Sequence, residues 1–578
     1  MPTRAFKTLA LFAALCAGPV HALTVEVVAP DEIRALLMQH LETARAARLG
    51  ERLDAEEMAR LQRQSELTAH DLLATEGYFS PQVESAVERL GDDWRVDYRI
   101  VPGMRTQVRS VTLSFEGALK TDADKTGLRA RIESSFPLKP GMPFRQADWD
   151  TAKLVVLRPL LGDTYPTARV SASEARIDPA IRAADLALTL DSGPAFFYGV
   201  PVISGHRRYP ETIVRNLSPV KPGQPYRQQD LLDYQAALEA SSYFAQATVS
   251  ADPDPAQAAA MPIRIDVVER PEKRFSVGVG VSTDTGARVQ ASWLHQDILD
   301  RGMRLKFDTR IETARTIGSA ELAWPRNANG YENSLGLQLK QEDIEGQETR
   351  STALIAKRSR TRGQIETTLS LQYLTEEQRI ANVSSASNQA LTANYAWTQR
   401  HVGRAFYPRR GYVLNLQGGG AHESLLSDTS FVRLYGRHTQ YFPLGKNGRL
   451  VLRGELGSVL ADGRDGIPTD FLFRAGGDNS VRGYAYQSLG PTLNGAVASV
   501  RTLATGSVEY NYFFDRDWGM ALFVDAGDAA DSPAGLSPVF GYGVGARYSS
   551  PVGPINLDLA YGEATGKFRL HFSLGLSF

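Results

Sequence analysis

Apolar and polar residues alternate along the second half of the chain, from Phe275 to its end. The final segment, KFRLHFSLGLSF, shows this most clearly, with Leu570 and Phe572 on one face and Arg569 and His571 on the other. Successive side chains of a β-strand point to opposite faces of a sheet. The spacing therefore predicts strands that have one apolar face and one polar face.

Segments of about ten residues with this alternation recur along the second half, as in membrane-spanning barrels. Sixteen of them begin near Phe275, Ala287, Met303, Arg315, Glu332, Arg350, Gln364, Gln389, Gly411, Thr429, Gly448, Arg501, Gly519, Phe540, Gly553 and Lys567. A closed antiparallel barrel of a bacterial outer membrane has an even number of strands. We therefore predict a 16-stranded antiparallel transmembrane β-barrel over residues 272–578, with a soluble β-rich array as the alternative.

Aromatic residues near the segment ends fit the membrane–water interfaces of such a barrel. They are Trp324, Tyr395, Trp397, Tyr407, Tyr441, Tyr512 and Trp518.

The first half of the chain has helical periodicity and an internal repeat. The segment LKPGMPFRQADWDTAKLVVLRPLLGDTYPTARV (138–170) matches VKPGQPYRQQDLLDYQAALEASSYFAQATV (220–249), and both place Lys-Pro-Gly before a helix. A more divergent copy precedes them, with helices predicted over Glu32–Arg48 and Ala55–Thr75. The shared order β-α-α-β-β predicts three α+β repeats, with generic spacer modules as the alternative. Their boundaries are 23–103, 104–193 and 194–271.

The first 22 residues, MPTRAFKTLALFAALCAGPVHA, have the pattern of a secretory signal peptide. Arg4 and Lys7 give the charged start, and Leu9–Ala17 gives an apolar centre that is too short to span a bilayer. Cleavage after Ala22 would remove Cys16, the only cysteine. We therefore expect an exported chain without disulfides.

Composition and motifs exclude several classes of function. The 64 Lys and Arg residues are balanced by 65 Asp and Glu residues, which argues against a nucleic-acid-binding protein. The sequence has no P-loop, no G-x-S-x-G elbow and no H-E-x-x-H pair. His401 and His571 fit interface or lumen positions better than ligand positions. We therefore expect no catalytic, cofactor-binding or metal-binding residues and no enzyme, although an outer-membrane hydrolase remains an alternative.

A loop near the C-terminus carries the motif that connects these features. The segment GGDNSVRGYAY (476–486) lies between the eleventh and twelfth predicted strands, in a loop spanning residues 461–500. Together with three repeats and sixteen strands, it resembles the outer-membrane protein assembly and two-partner secretion superfamily, whose members include BamA and TamA. The resemblance covers essentially the whole mature chain. Three copies of the repeat, called POTRA in that family, most resemble the TamA branch.

The resemblance implies an outer-membrane location, with the POTRA repeats in the periplasm. It implies a role in inserting β-barrel proteins such as autotransporters, together with a TamB-like, inner-membrane-anchored partner that spans the periplasm. It also implies that the loop folds into the barrel and binds the wall pattern FVDAG, Phe523–Gly527. The tip residues carried over are Val481, Arg482, Gly483 and Tyr484, and the wall residues are Phe523, Asp525 and Gly527.

Strand parity tests this transfer independently of the family. In ALFVDAG the apolar Leu522 and Val524 suit the membrane, which turns Phe523 and Asp525 towards the lumen. The same alternation in SVEYNY turns Glu509 inward. We therefore predict an ion pair between Arg482 and Asp525 or Glu509, with solvated wall carboxylates as the alternative, and we expect Tyr484 to pack on Phe523.

The first and last strands form the predicted gate. Glycine lowers strand stability, so a glycine-containing seam could open and pair with an incoming strand. The seam residues are Phe275, Val277, Gly278, Gly280, Leu574, Gly575 and Phe578. Glycines that only relieve crowding are an equal alternative. A two-partner secretion pore for one dedicated substrate and a passive porin are the rival functions.

Overall fold

The computed structural model describes residues 23–51, 53–380, 384–403, 407–493, 495–550 and 553–575. The predicted signal peptide lies outside these residues.

The first repeat contains three helices between its strands. Its elements are β1 (Leu23–Val28), α1 (Asp31–His40), α2 (Glu42–Leu49), α3 (Ala55–Thr75), β2 (Gln82–Leu90) and β3 (Asp93–Val101). Strand β3 lies between β1 and β2 and runs parallel to β1. The single helix predicted over Glu32–Arg48 is wrong, because Leu41 has an extended backbone and a fully buried side chain that divides the segment in two.

The second and third repeats have the same strand order as the first. The second contains β4 (Gln107–Glu116), α4 (Ala118–Thr121), α5 (Thr126–Ser135), α6 (Gln146–Leu161), β5 (Arg169–Asp178) and β6 (Ala183–Asp191). The third contains β7 (Val202–Ser204), α7 (Glu211–Asn216), α8 (Gln228–Ala240), β8 (Phe244–Ala251) and β9 (Ile263–Glu269). In each sheet the last strand lies in the middle. None of the described helices is long and apolar enough to cross a membrane.

The Lys-Pro-Gly turns explain why the sequences of these two repeats match. The Gly141 N–H donates to the carbonyl of Val108 over 2.8 Å, and the Gly223 N–H donates to the carbonyl of Tyr198 over 2.7 Å. Both glycines have positive φ, 89° and 84°, a backbone conformation that favours glycine. The turn therefore closes onto the start of the repeat in the same way in both copies.

The second half of the chain is a closed barrel of sixteen strands. The strands before the long loop are β10 (Lys273–Ser282), β11 (Gly286–Ile298), β12 (Met303–Glu312), β13 (Arg315–Ala323), β14 (Tyr331–Ile344), β15 (Gln347–Arg362), β16 (Ile365–Ile380), β17 (Ser384–Val402), β18 (Gly411–Ala421), β19 (Phe431–Leu444) and β20 (Gly448–Leu460). The loop contains β21 (Thr492–Leu493) and β22 (Ala496–Val497). The remaining barrel strands are β23 (Thr502–Phe513), β24 (Trp518–Ala530), β25 (Val539–Ser550), β26 (Gly553–Gly562) and β27 (Lys567–Gly575).

Every barrel strand pairs with its neighbour in antiparallel orientation, and β27 pairs back with β10. The predicted 16-stranded barrel is confirmed. We call the end where β10 begins the proximal end and the opposite end the distal end. Because the strands alternate in direction, the β17–β18 and β19–β20 turns lie at the proximal end, and the long loop leaves from the distal end.

Exposure alternates along the strands as the sequence predicts. On β24, Leu522 and Val524 are 47% and 49% exposed, whereas Phe523 and Asp525 are 3% and 0% exposed. The outward set forms an apolar band that suits lipid, and the inward set lines a polar lumen. The prediction for Tyr407 is wrong: this residue lies in the β17–β18 turn, where its hydroxyl donates to the Asn556 side chain over 2.8 Å.

Adjacent residues of β14 provide a matched test of this alternation. Leu337 faces outward and is 40% exposed, whereas Gln338 faces the lumen at the same depth. Leu337→Arg should destabilise the folded barrel by about 2–4 kcal/mol, the range for a cation on the lipid face near the bilayer midplane. Gln338→Arg should be tolerated, because its charge can be hydrated in the lumen. Urea titration in lipid vesicles measures both, and equal losses would contradict the assignment of faces.

Candidate functional site

The long loop between β20 and β23 is an ordered structure inside the barrel. Its two arms pair through reciprocal backbone hydrogen bonds between Phe473 and Val500, of 2.8 and 2.9 Å. The aromatic side chains of the arms pack with lumen-facing wall residues in one buried cluster, which includes Phe471, Phe473 and Leu374. This cluster fixes the base of the loop, and the tip with the Arg-Gly-Tyr motif extends from it.

The tip places Arg482 against three carboxylates of the barrel wall. Its Nε and Nη2 donate to the two oxygens of Asp525 over 2.7 and 2.9 Å, and its backbone N–H also donates to Asp525 over 3.0 Å. Its Nη1 donates to Glu509 over 2.6 Å and to Asp558 over 3.1 Å. Both predicted partners, Asp525 and Glu509, therefore contact Arg482, and Asp558 is a third partner that was not predicted.

The cluster is buried and electrostatically interlocked. Arg482 is 4% exposed and Asp525 is fully buried. A second guanidinium, that of Arg547, lies 3.1 Å from Glu509 and 2.5 Å from Asp558. Burial lowers the pKa of Arg482, but its hydrogen bonds and ion pairs with Asp525 and the other carboxylates raise it more, so the pKa lies above its usual value and the group stays charged. A planar fork that holds a carboxylate with two bonds fixes both position and orientation. We call Arg482, Asp525, Glu509, Asp558 and Arg547 the pin.

Small residues on both sides allow the tip to approach the wall. Gly483 has φ of +96°, and a Cβ there would lie 2.8 Å from the backbone nitrogen of Gly562. A Cβ at Gly541 would lie 1.9 Å from the carbonyl oxygen of Arg482. Neither space can hold a side chain without displacing backbone, so these glycines permit the contact.

The predicted packing of Tyr484 on Phe523 is wrong, because each of these aromatic residues has another contact. The guanidinium of Arg482 lies over the ring of Phe523, 3.4 Å from its centre, so the charged group rather than Tyr484 covers that face. The Tyr484 hydroxyl donates to the carbonyl of Phe540 over 2.9 Å and accepts from the Ala564 N–H over 3.0 Å. Val481 is fully buried, and Gly527 pairs with Thr505 of the adjacent strand.

The seam between β10 and β27 has few backbone pairs in the described part of the chain. Strand β10 pairs with β11 along its whole length, from Lys273 to Ser282. With β27 it pairs only at Gly280, Val281 and Ser282, opposite Gly575, Leu574 and Ser573. The predicted seam residues Phe275, Val277 and Gly278 have no β27 partner within residues 553–575. Phe578 lies outside the described residues, and of Leu574 and Gly575 only the backbone is described.

The loop tip also bonds to both sides of this seam through Asp478. On the β27 side, the Asp478 carboxylate lies 2.5 Å from His571 Nδ1. On the β10 side, its backbone N–H donates to Asp284 over 3.1 Å, and the Thr283 hydroxyl donates to its carboxylate over 3.4 Å. Asp284 and Thr283 form the turn that joins β10 to β11. We call Asp478, His571, Asp284 and Thr283 the latch.

Hydrogen bonding defines the state of His571. The Gly483 N–H donates to its Nε2 over 2.8 Å, so this nitrogen uses its lone pair as an acceptor. Nδ1 then carries the proton and donates to Asp478. Although Asp284, Asp478 and His571 place potential ligand atoms within 4.8 Å of one another, the ring has no lone pair left for a metal ion. The three groups form a hydrogen-bonded bridge.

The two carboxylates of the latch lie close together. Burial, and then the charge of Asp478, raise the pKa of Asp284 well above its usual range. A protonated Asp284 avoids charge repulsion with Asp478, and it can still accept the Asp478 backbone N–H.

Some of the site residues that were not predicted could have been found from the sequence, and others could not. Asp558 lies between the outward Leu557 and Leu559, so the parity argument that found Glu509 would also have found it. His571 was placed in the lumen, but its contact with Gly483 depends on the loop conformation. No sequence pattern signals the bond from Asp478 to Asp284, because the two residues are 194 positions apart.

Comparisons with known proteins agree with this architecture. The Omp85 superfamily domain matches residues 264–578, and the POTRA repeat described as surface antigen variable number repeat matches residues 202–270. BamA from Haemophilus ducreyi lacking POTRA domains 1–3 superposes with a TM-score of 0.64 at 16% identity, over 82% of this chain and 100% of that chain. At this identity the likeness establishes the fold.

Two relatives match shorter stretches. The chloroplastic outer envelope protein 80 of Arabidopsis thaliana is 36% identical over 115 residues, which is 18% of this chain and 14% of that protein. The outer membrane protein assembly factor BamA of Nitratidesulfovibrio vulgaris is 27% identical over 221 residues, 35% of this chain and 27% of that protein. The matched region is thus less than a third of either relative.

The family match covers more than half of the chain and includes all sixteen barrel strands. The chain therefore belongs to the Omp85 superfamily, with its barrel in the outer membrane and its POTRA region in the periplasm.

Proposed function

We propose that this protein is a TamA-like assembly factor that inserts or translocates other β-barrel proteins, autotransporters among them, through a gate at the β10–β27 seam. The short seam supports this proposal most directly. Strand β10 makes ten backbone pairs with β11 but three with β27 in the described part of the chain. Backbone pairing is what holds a barrel closed, so this is the strand pair that opens with the least loss.

The substrate would bind the gate as an added strand. Along Lys273–Val279, the backbone groups of β10 that face the seam have no β27 partner within residues 553–575. An unpaired strand edge is a template for an incoming strand, which completes its own hydrogen bonds there. Gly278 and Gly280 lower the stability of β10 itself, which favours exchange of its partner.

The loop would couple the seam to the interior of the barrel. Arg482 is held by β23, β24 and β26, and Asp478, four residues earlier, bonds to both sides of the seam. The pin therefore sets the position from which the latch holds the gate. In this proposal Arg482 is a positioning residue.

We further propose that the protein acts with a TamB-like protein that is anchored in the inner membrane and spans the periplasm. Three repeats of one strand order support this assignment to the TamA branch. Unfolded outer-membrane proteins would be the substrates, and the surrounding lipid would receive them. A two-partner secretion pore is the rival function, and it would pass its substrate through the lumen.

A disulfide lock at the seam tests the gate. Cys16 is the only cysteine in the sequence, so new cysteine pairs will be specific. Ser282→Cys with Ser573→Cys joins β10 to β27, and the control Ser276→Cys with Ser292→Cys joins β10 to β11 at a comparable backbone pair. The oxidised seam lock should abolish insertion of a substrate barrel into vesicles, and reduction should restore it. The control should insert normally in both states.

Full insertion with the seam lock closed would refute the gate. Export of a secreted substrate that continues with the lock closed would instead favour the two-partner secretion pore, because that route needs no opening in the wall.

The pin is tested by Arg482→Ala against Arg464→Ala in the same loop. Removing Arg482 leaves the fully buried carboxylate of Asp525 without its partner, whereas Glu509 and Asp558 keep Arg547. An unpaired buried charge should cost about 3–5 kcal/mol of folding free energy and reduce insertion strongly. Arg464 pairs with Asp531 over 3.3 Å at a partly exposed position, where a pair contributes at most about 1 kcal/mol. Asp525→Ala should resemble Arg482→Ala, and the double variant should be little worse than either. Urea titration and insertion rates measure both effects, and additive losses would argue against direct pairing.

The latch is tested by Asp478→Ala, with the exposed neighbour Asn479→Ala as control. The substitution removes the acceptor for His571 and Thr283 and leaves Arg482 in place. The seam should open more often, by about tenfold for the loss of one charge-assisted hydrogen bond. A thiol-reactive probe on Ser573→Cys measures opening as the labelling rate. Equal labelling rates in the Asp478 and Asn479 variants would show that Asp478 does not hold the seam closed.

A further inference from the structure

A chamber of about 300 Å³ lies in the lumen on the proximal side of the pin. We call it the arginine chamber, because Arg437, Arg449, Arg453, Arg482 and Arg547 line it. Its proximal boundary includes Tyr407 of the β17–β18 turn, and in the membrane this end of the barrel faces the periplasm.

The chamber has more positive than negative groups. Its five arginines are accompanied by three carboxylates, and one positive charge remains when Asp525, behind Arg482, is also counted. The carboxylates of the pin are held by Arg482 and Arg547. Within the part of the chain that the structure describes, Arg437, Arg449 and Arg453 have no carboxylate within 4.0 Å of their guanidinium nitrogens.

Two of these arginines also have buried donors without an acceptor. Arg449 is 5% exposed and Arg453 is partly buried, yet the buried Nε of each has no hydrogen-bond partner among the described residues. Guanidinium groups only donate, so the groups that satisfy them must be acceptors.

The guanidinium groups are held in place before any ligand arrives. Arg449 lies over the rings of Tyr407 and Phe513, at 4.8 and 5.5 Å, and donates to the carbonyl of Pro408 over 2.9 Å. Arg453 donates to the carbonyl of Ser480 in the loop over 3.0 Å. Groups fixed in this way lose little freedom when they bind an oxyanion.

We propose that the arginine chamber binds a carboxylate of a polypeptide that enters the barrel from the periplasm. A carboxylate oxygen can accept from the Nε groups that Arg449 and Arg453 leave without a partner. The chamber lies on the lumen side of the wall, so the headgroups of the surrounding lipid do not line it. Its volume is at the lower end of the range for ligand pockets, which suits one or two residues of an extended chain. The identity of this polypeptide as a substrate rests on the proposed function.

Titration calorimetry on the full-length protein in detergent tests the chamber, with tetraglutamate, tetralysine and inorganic phosphate as probes. Tetraglutamate should bind and tetralysine should not. Arg449→Gln and Arg453→Gln should each weaken tetraglutamate binding about tenfold or more, because each removes a charge-assisted contact. Arg433→Gln is the matched control: Arg433 also faces the lumen, but it lies over Tyr435 and Phe473 outside the chamber, and its loss should change nothing.

The outcomes separate the alternatives. Absence of tetraglutamate binding, or equal binding by the Arg453 and Arg433 variants, would overturn the proposal, and the chamber would then be a hydrated lumen wall. Phosphate that binds while tetraglutamate does not would overturn the polypeptide as the source of the anion. The electrophoretic mobility of unheated samples in an SDS gel shows whether the barrel of each variant is folded. Binding is measured without insertion, so a protein that binds tetraglutamate but inserts no barrel would refute the assembly role alone.

Discussion

The contacts in the barrel lumen depend on one buried cation. Arg482 is 4% exposed, and its five shortest polar contacts are to carboxylates on three different wall strands. A charge removed from water needs partners at close range, and here the wall supplies them from β23, β24 and β26. One side chain therefore fixes where the loop tip lies and which groups the neighbouring loop residues can reach.

The wall accommodates this contact by omitting side chains. Gly541, Gly543 and Gly545 lie on the lumen face of β25. A Cβ at Gly541 would lie 1.9 Å from the carbonyl oxygen of Arg482, and Cβ atoms at Gly543 and Gly545 would lie 2.7 Å from Phe523 and 1.8 Å from Asp558 of the wall. Glycine weakens a strand. The loss of strand stability occurs beside the ion pairs of the pin, which connect neighbouring strands. These ion pairs offset the loss and hold the loop in place. Glycine also weakens β10, but there no ion pair of the pin offsets the loss of stability.

The sequence was sufficient wherever a regular backbone carries the information. Period-two alternation placed sixteen strands and turned Asp525 and Glu509 inward, because the faces of a strand follow from residue number alone. Contacts made by irregular backbone could not be predicted from the sequence. The bond between Asp478 and Asp284 requires the path of the loop and the closure of the barrel together. The prediction of one helix across Leu41 failed for a related reason. Local periodicity would have continued the helix, but the tertiary burial of the Leu41 side chain ended it.

The latch is unequal on its two sides, and this gives the proposed opening a direction. Strand β27 bonds to the loop through both ring nitrogens of His571, at 2.5 Å to Asp478 and 2.8 Å to Gly483. The β10–β11 turn bonds to the loop more weakly, at 3.1 Å from Asp284 and 3.4 Å from Thr283. In the proposed opening, the more weakly bonded side would separate first, so that β27 would stay with the pinned loop and β10 would move away. The edge offered to an incoming strand would then be that of β10, the strand that already lacks partners along most of its described seam.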